Sequence, residues 1–175
     1  GATGAYFGLK SMQEKPVEPK YQQLTFRRGF VSGARFTSDQ TTVAYSSSWS
    51  GDPAEVFTTR TDSPESKAID RKNAHIFSVS SNGSELALGL NVQFTPNGPL
   101  AELHVAPFSG GEPRKVADSV VDAEFDGKGG LAVVRSVGSQ RVLEYPAGTN
   151  IYSTPGWISS VRFAPNGQSV AFIEH

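Results

Sequence analysis

The chain has 175 residues, 37% hydrophobic and 19% charged, and its 16 Lys and Arg nearly balance 17 Asp and Glu for a formal net charge of -1. That length and mix suffice for one packed domain and argue against a disordered chain. The charge balance, with no basic run longer than Arg27-Arg28, excludes the electrostatic footprint of a nucleic-acid binder, and the absence of cysteine excludes disulfides, cysteine zinc sites and thiol catalysis.

In chain order, the opening GATGAYFGL (1–9) is small and apolar, and KSMQEKPVEPK (10–20) after it is polar. Two readings stay open: an artificial, disordered lead, or the trimmed end of a membrane helix followed by a Pro/Glu/Lys linker. The run YQQLTF (21–26) reads as an outer strand that needs a partner from elsewhere. From there one unit recurs: an anchor, a turn and an apolar–Ala–apolar triplet. Its copies are Phe36, SDQT and Val43-Ala44-Tyr45; Val79, SNGS and Leu86-Ala87-Leu88; Phe125, DGKG and Leu131-Ala132-Val133; and Phe163, PNGQ and Val170-Ala171-Phe172. Asn82-Gly83, Asn166-Gly167 and Asp126-Gly127 supply the positive φ of a tight hairpin turn, while Asp39-Gln40 in the first copy predicts a different or more strained turn. Each copy therefore reads as a β-hairpin.

Strand-like AEVFTTR (54–60), AELHVAP (101–107) and QRVLEYP (140–146) follow the first three copies. After the turn-rich DSPES, SGGEP and AGTN come short outer strands, KAID (67–70), RKVA (114–117) and IYST (151–154). Four strands per unit at a period of about 40–45 residues is the pattern of propeller blades. The predicted fold is all-β, a partial β-propeller of about three and a half four-stranded antiparallel blades. The lead and linker occupy 1–20 and the propeller 21–175, with blades at 21–70, 71–117, 118–154 and a partial one at 155–175. No window carries a helical apolar stripe free of Gly or Pro, and the internal period favours a propeller over an all-β sandwich of similar strand spacing. Because propellers close with about 4–8 blades, the missing blades are expected from the rest of a longer parent chain or from another protomer.

The stretches RFAPNGQSVAF (162–172) and SGGEPRKVA (109–117) resemble the WD-like repeats of TolB-type propellers, in which a Phe-Ser-Pro-Asp-Gly turn leads into an apolar strand and a Gly-Gly turn into the outer strand. The first copy departs by lacking the turn glycine, the second by carrying Val79 at the Phe position, and the third by being one residue shorter. A narrower resemblance joins residues 21–66 and GWISSVRFAPNG (156–167) to bacterial membrane-tethered Ser/Thr protein kinases, in which a kinase is followed by a membrane helix and a TolB-like propeller. That resemblance implies an extracytoplasmic, periplasmic module tethered through a membrane helix N-terminal to this chain. The chain itself holds no Gly-rich phosphate loop with its strand lysine, no His-Arg-Asp loop and no Asp-Phe-Gly.

Catalytic chemistry finds little support in these residues. His75, His104 and His175 share no metal-ligand spacing, GFVSG (29–33) is not a nucleophile elbow, and GKGGLA (127–132) sits in a hairpin rather than before a helix. Asn82-Gly83-Ser84 matches a glycosylation sequon that its turn already explains. Asp39, Asp52, Asp62, Asp118, Asp122 and Asp126 fall mostly in expected turns. No catalytic residue, metal ligand or cofactor site is therefore predicted.

Binding residues follow from the predicted geometry. The anchors Phe36, Val79, Phe125 and Phe163 should pack between blades, so by strand alternation Arg35, Ser78, Glu124 and Arg162 should face the propeller axis as a polar ring. The bland alternative is that the two arginines pair with nearby carboxylates and hold blades together. Rim loops at 46–53, 91–99 and 136–140 add Trp49 and Phe94 as candidate contacts, with Trp49 alternatively packed against the next blade. The expected function is a non-catalytic module binding a protein or a small ligand, with no nucleic acid and no membrane insertion by 21–175, that informs an attached kinase. Two alternatives stand beside it: a propeller gating a prolyl-oligopeptidase-like hydrolase, and an envelope scaffold like TolB.

Overall fold

The computed structural model describes residues 18–175, and every regular element in them is a β-strand. The apolar lead at 1–9 lies outside the described residues. Strands β1 (Gly29–Phe36), β2 (Thr42–Trp49), β3 (Glu55–Arg60) and β4 (Ser63–Lys72) form a four-stranded antiparallel sheet in chain order. Strands β5 (Ala74–Val79), β6 (Glu85–Thr95), β7 (Gly98–Pro107), β8 (Arg114–Phe125), β9 (Leu131–Val137), β10 (Gln140–Glu144) and β11 (Asn150–Thr154) form a seven-stranded meander. A hairpin of β12 (Ile158–Phe163) and β13 (Val170–Glu174) follows.

The seven-stranded sheet is two four-strand sets sharing one strand. The first part of β8 pairs with β7, Lys115 opposite His104 and Ala117 opposite Leu103, while its second part pairs with β9, Glu124 opposite Ala132. Ser119, with φ 56°, stands where the strand passes from one role to the other. The same passage between β4 and β5 runs through Asn73, φ 48°, and there the sheet breaks. The sequence suggested a boundary between residues 117 and 118; the chain makes that passage inside a single strand.

Three local expectations are corrected. Residues 21–26 form no strand: Tyr21 and Phe26 are exposed, and Gln22 donates its side-chain amide to the Thr61 carbonyl at 2.7 Å. Trp49 is not in a loop, because β2 continues through it before the chain turns at Ser50 and Gly51. Residues 91–99 are not a loop either; β6 and β7 extend as a hairpin with Phe94 opposite Pro99 and Thr95 opposite Gly98.

The repeated turns share one mechanism. Gly83 and Gly167 hold φ of 70° and 68°, and their N–H groups donate to Ser80 and Ala164 at 2.8 Å. In the first copy Gln40 occupies this place at φ 55°, its N–H donating to Thr37 at 3.0 Å, so an ordinary side chain sits where glycine serves elsewhere. Asp39 fixes that turn: its carboxylate accepts from the Thr41 and Thr42 N–H groups and the Thr37 and Thr42 hydroxyls, and these bonds hold its pKa far below the usual carboxylate range. The third turn differs from expectation, since the positive φ falls on Gly129 rather than Gly127 and Asp126 accepts from Lys128 and Gly130.

The core lies in the seams between successive sheets, and alternation lets one strand serve two seams. Leu86 and Leu88 face a cluster with Ala44, Val56, Ile76 and Ala106, while Ala87 between them faces one with Phe77, Leu103, Val105, Phe125 and Val133. Ala132 and Val134 face a third with Leu143, Ile158 and Val161. Val79, Phe125 and Phe163 each pack toward the sheet before their own, as the anchor pattern predicts. Phe36 does not. It is 61% exposed, because no sheet among the described residues precedes β1 to cover it.

Candidate functional site

The inner strands lie side by side: β1 against β5, β5 against β8, and β8 against β12. Each contributes one member of the predicted ring. Arg35 comes from β1, Ser78 from β5, Glu124 from the second part of β8 and Arg162 from β12. Glu124 is their meeting point. Its Oε2 accepts from Arg162 Nη1 at 3.4 Å and lies 4.0 Å from Arg35 Nε. Ser78 also hydrogen-bonds this carboxylate, and its hydroxyl accepts the Phe125 N–H at 3.1 Å. The structure thus gathers these four residues, from four different strands, around Glu124.

Asp122, which the predicted ring does not include, joins them. It sits on β8 two residues before Glu124, so the alternation that nominated Glu124 also places Asp122 on the same side of the strand. Its carboxylate accepts from the Ala123 N–H at 2.9 Å and, across to β12, from the Val161 N–H at 3.0 Å.

The electrostatics of this cluster are set by burial. Desolvation raises the pKa of both Asp122 and Glu124, outweighing the two nearby guanidiniums. Arg35 is pushed the other way, first by burial and then by repulsion from Arg162. Arg35 Nη1 donates to its own neighbour's carbonyl, Ala34, at 2.8 Å, and Arg162 Nη1 to Val161 at 2.5 Å. Arg35 Nε is buried and, among the described residues, has no acceptor within hydrogen-bonding distance.

Beside the cluster stands His75, on β5, which the sequence did not single out. It is 6% exposed, with Nδ1 3.0 Å from the Ser32 hydroxyl and 3.3 Å from that of Ser46. Gly33 permits this approach of β1 to β5, since a Cβ there would stand 2.9 Å from His75 Cε1 and 3.0 Å from the Ile76 carbonyl oxygen. Burial, then the charge of Arg35, lowers the His75 pKa to about 4, so the ring is neutral in the folded chain at ordinary pH.

The two aromatic candidates lie apart from the axial residues. Trp49 is buried, and it packs on Tyr45 and Phe57 of its own sheet rather than against the next one, with the Arg27 guanidinium 4.9 Å over its ring. Phe94 is half exposed at the end of the β6–β7 hairpin, edge-on to Phe30 at 6.0 Å. Phe30 and Phe94, with Ser32, Pro53, Val92 and Pro99, line an open groove of about 660 Å³. Among the described residues no His, Asp or Glu cluster of three or more is placed to hold a metal, and no helix is long and apolar enough to cross a membrane.

No protein-family model matches the sequence, and no curated protein does. Solved structures do match in shape. A TolB-type protein of Agrobacterium tumefaciens aligns over 85% of this chain with a TM-score of 0.67 and 10% identity, and TolB of Acinetobacter baumannii over 84% with 0.59 and 16%. An acylaminoacyl peptidase solved with Z-Gly-Gly-Phe-chloromethyl ketone aligns over 82% with 0.55 and 14%. The chain spans 57%, 38% and 28% of those three proteins. With identities this low the likeness speaks to architecture, and on that the strands, the seams and the neighbours agree: the chain has an all-β, propeller-like fold of the kind seen in TolB-type proteins.

Proposed function

We propose that this chain is a non-catalytic propeller module that binds a protein or a small ligand on the face where its inner strands meet. The observation that carries the reading is the convergence of Arg35, Asp122, Glu124 and Arg162 from three separate sheets onto one polar cluster. Propeller-like neighbours that include both TolB and a peptidase show that the fold is compatible with several roles, so the site has to choose. Here both carboxylates are engaged by backbone N–H groups, a hydroxyl and arginines, an arrangement that suits recognition rather than proton transfer.

In this reading the module lies outside the cytoplasm and informs a Ser/Thr kinase through a membrane helix ahead of residue 1. The resemblance of residues 21–66 and 156–167 to membrane-tethered kinases supports it. The blades needed to close the ring come from the rest of the parent chain or from a second protomer. Two experiments test the proposal. A parent chain with a kinase catalytic loop and an apolar span before Gly1 supports the tethered sensor, whereas a Gly-x-Ser-x-Gly elbow after His175 moves the reading to a hydrolase. Immobilised chain and its Arg35→Ala/Arg162→Ala variant are then compared on envelope extract. A ligand retained by the first and lost by the second, with circular dichroism unchanged, supports the axial face; equal retention overturns it.

A further inference from the structure

The axial cluster has more donors than acceptors. Two guanidiniums share a single carboxylate oxygen, Glu124 Oε2, and only Arg162 reaches it at hydrogen-bonding distance. Asp122 does not make up the shortfall: its oxygens accept the Ala123 and Val161 N–H groups, and the two guanidiniums act on it only through their charge. Each arginine spends Nη1 on the carbonyl beside it, and Arg35 Nε is left buried without an acceptor. A buried donor without a partner is destabilising, and a charged one more so. A planar group with two acceptor oxygens, entering from the open side of Arg162 and taking the place of the Glu124 carboxylate, would offer an acceptor to each guanidinium.

We propose that Arg35 and Arg162 form a receptor for one carboxylate of the ligand, with Glu124 as the internal carboxylate that occupies the site until the ligand arrives. This deepens the binding-module reading and rests on it. A carboxylate suits the site better than a phosphate. Glu124 and Asp122 stand beside the arginines, and they repel a dianion more strongly than a monoanion. Two sources can present the group, a peptide C-terminus or an acidic side chain, and the experiment separates them.

The chain is labelled with ¹⁵N and the arginine Nε–H resonances are followed while sodium acetate replaces sodium chloride at constant ionic strength. Acetate is expected to shift the Arg35 and Arg162 signals to a plateau that chloride and inorganic phosphate do not produce. Arg162→Gln, at a half-exposed position where the fold should survive, is expected to weaken acetate binding about tenfold, the loss of a charge-assisted pair. Glu124→Gln separates this from a structural role: removing the internal competitor should tighten acetate binding several-fold even though it removes an ion pair. A tripeptide with a free C-terminus, its amide, and an amide carrying an internal Glu then identify the source. Drift without saturation, or Glu124→Gln with unchanged or weaker acetate binding, overturns the proposal. Partner capture that still depends on the arginines would in that case leave the axial binding face standing without the carboxylate.

Discussion

Exchanging His75 for Gln should abolish a specific loss of stability in mild acid. In the unfolded chain His75 takes up a proton near its ordinary pKa of 6.5, whereas in the folded chain burial and Arg35 hold it neutral until about 4. The depressed value means that folding loses nothing above pH 6.5 and progressively more below it, at about 1.4 kcal/mol per pH unit until the folded ring titrates. Across the window from 6.5 to about 4 the loss comes to about 3 kcal/mol. Gln stays neutral, and its amide can still meet the Ser32 and Ser46 hydroxyls that Nδ1 meets now. Asp122 and Glu124 work in the opposite direction: their raised folded values make the fold take up protons first, so they add stability as pH falls. Both remain in the variant, and the difference between the two proteins isolates the imidazole. Urea unfolding at a series of pH values gives that difference directly. The gap between wild type and His75→Gln should narrow or reverse on acidification; parallel curves would mean that the ring is solvated or charged in the fold, and the burial argument would fail.

Two further outcomes are expected. Gln40→Gly should raise the unfolding free energy by roughly 0.5–1 kcal/mol, since it gives the first turn the residue that Gly83 and Gly167 supply to the second and fourth; calorimetry showing no gain would mean the φ of 55° carries no penalty. Phe125→Ala should cost about 3–5 kcal/mol in urea unfolding, while Phe36→Ala, at the corresponding place in the first unit, should stay within about 0.5 kcal/mol; equal effects would contradict the 6% and 61% exposures of the two rings.

The sequence made the fold readable where one physical signal repeats. An anchor, a positive-φ turn and an alanine between two larger apolar residues recur because every seam needs the same ridge, bend and close approach. Ala44, Ala87 and Ala132 are accordingly all fully buried. What it hid depends on neighbours that lie far apart in the chain. The extended β6–β7 hairpin was mistaken for a loop because Pro96, Asn97 and Gly98 make the whole of 91–99 look like a turn, whereas the pairing reaches Thr95 and Gly98. The burial of His75 was invisible, for it is made by Gly33, Ser32 and Ser46 of other strands. Asp122 was legible in principle, since the period of two that selected Glu124 also selects it. Asp is so often a turn residue that its type alone points away from a strand.

The apolar seams and the axial charges contribute unequally to stability, and that inequality supports the binding role proposed for the axis. The seams are aliphatic and aromatic and need no charge to hold them. At the inner strands the balance runs the other way. Burial raises the pKa of Asp122 and Glu124 and lowers that of Arg35, so each of these groups is less comfortable ionised in the fold than in water. Ion pairs in that situation return little net stability, and a well-packed apolar replacement commonly does as well or better. Arg35 and Glu124 approach only to 4.0 Å, too far for the close bidentate pairing that would offset their desolvation. The cluster gathers side chains from three sheets and leaves a guanidinium donor unmatched, and these two features support the binding role proposed for the axis.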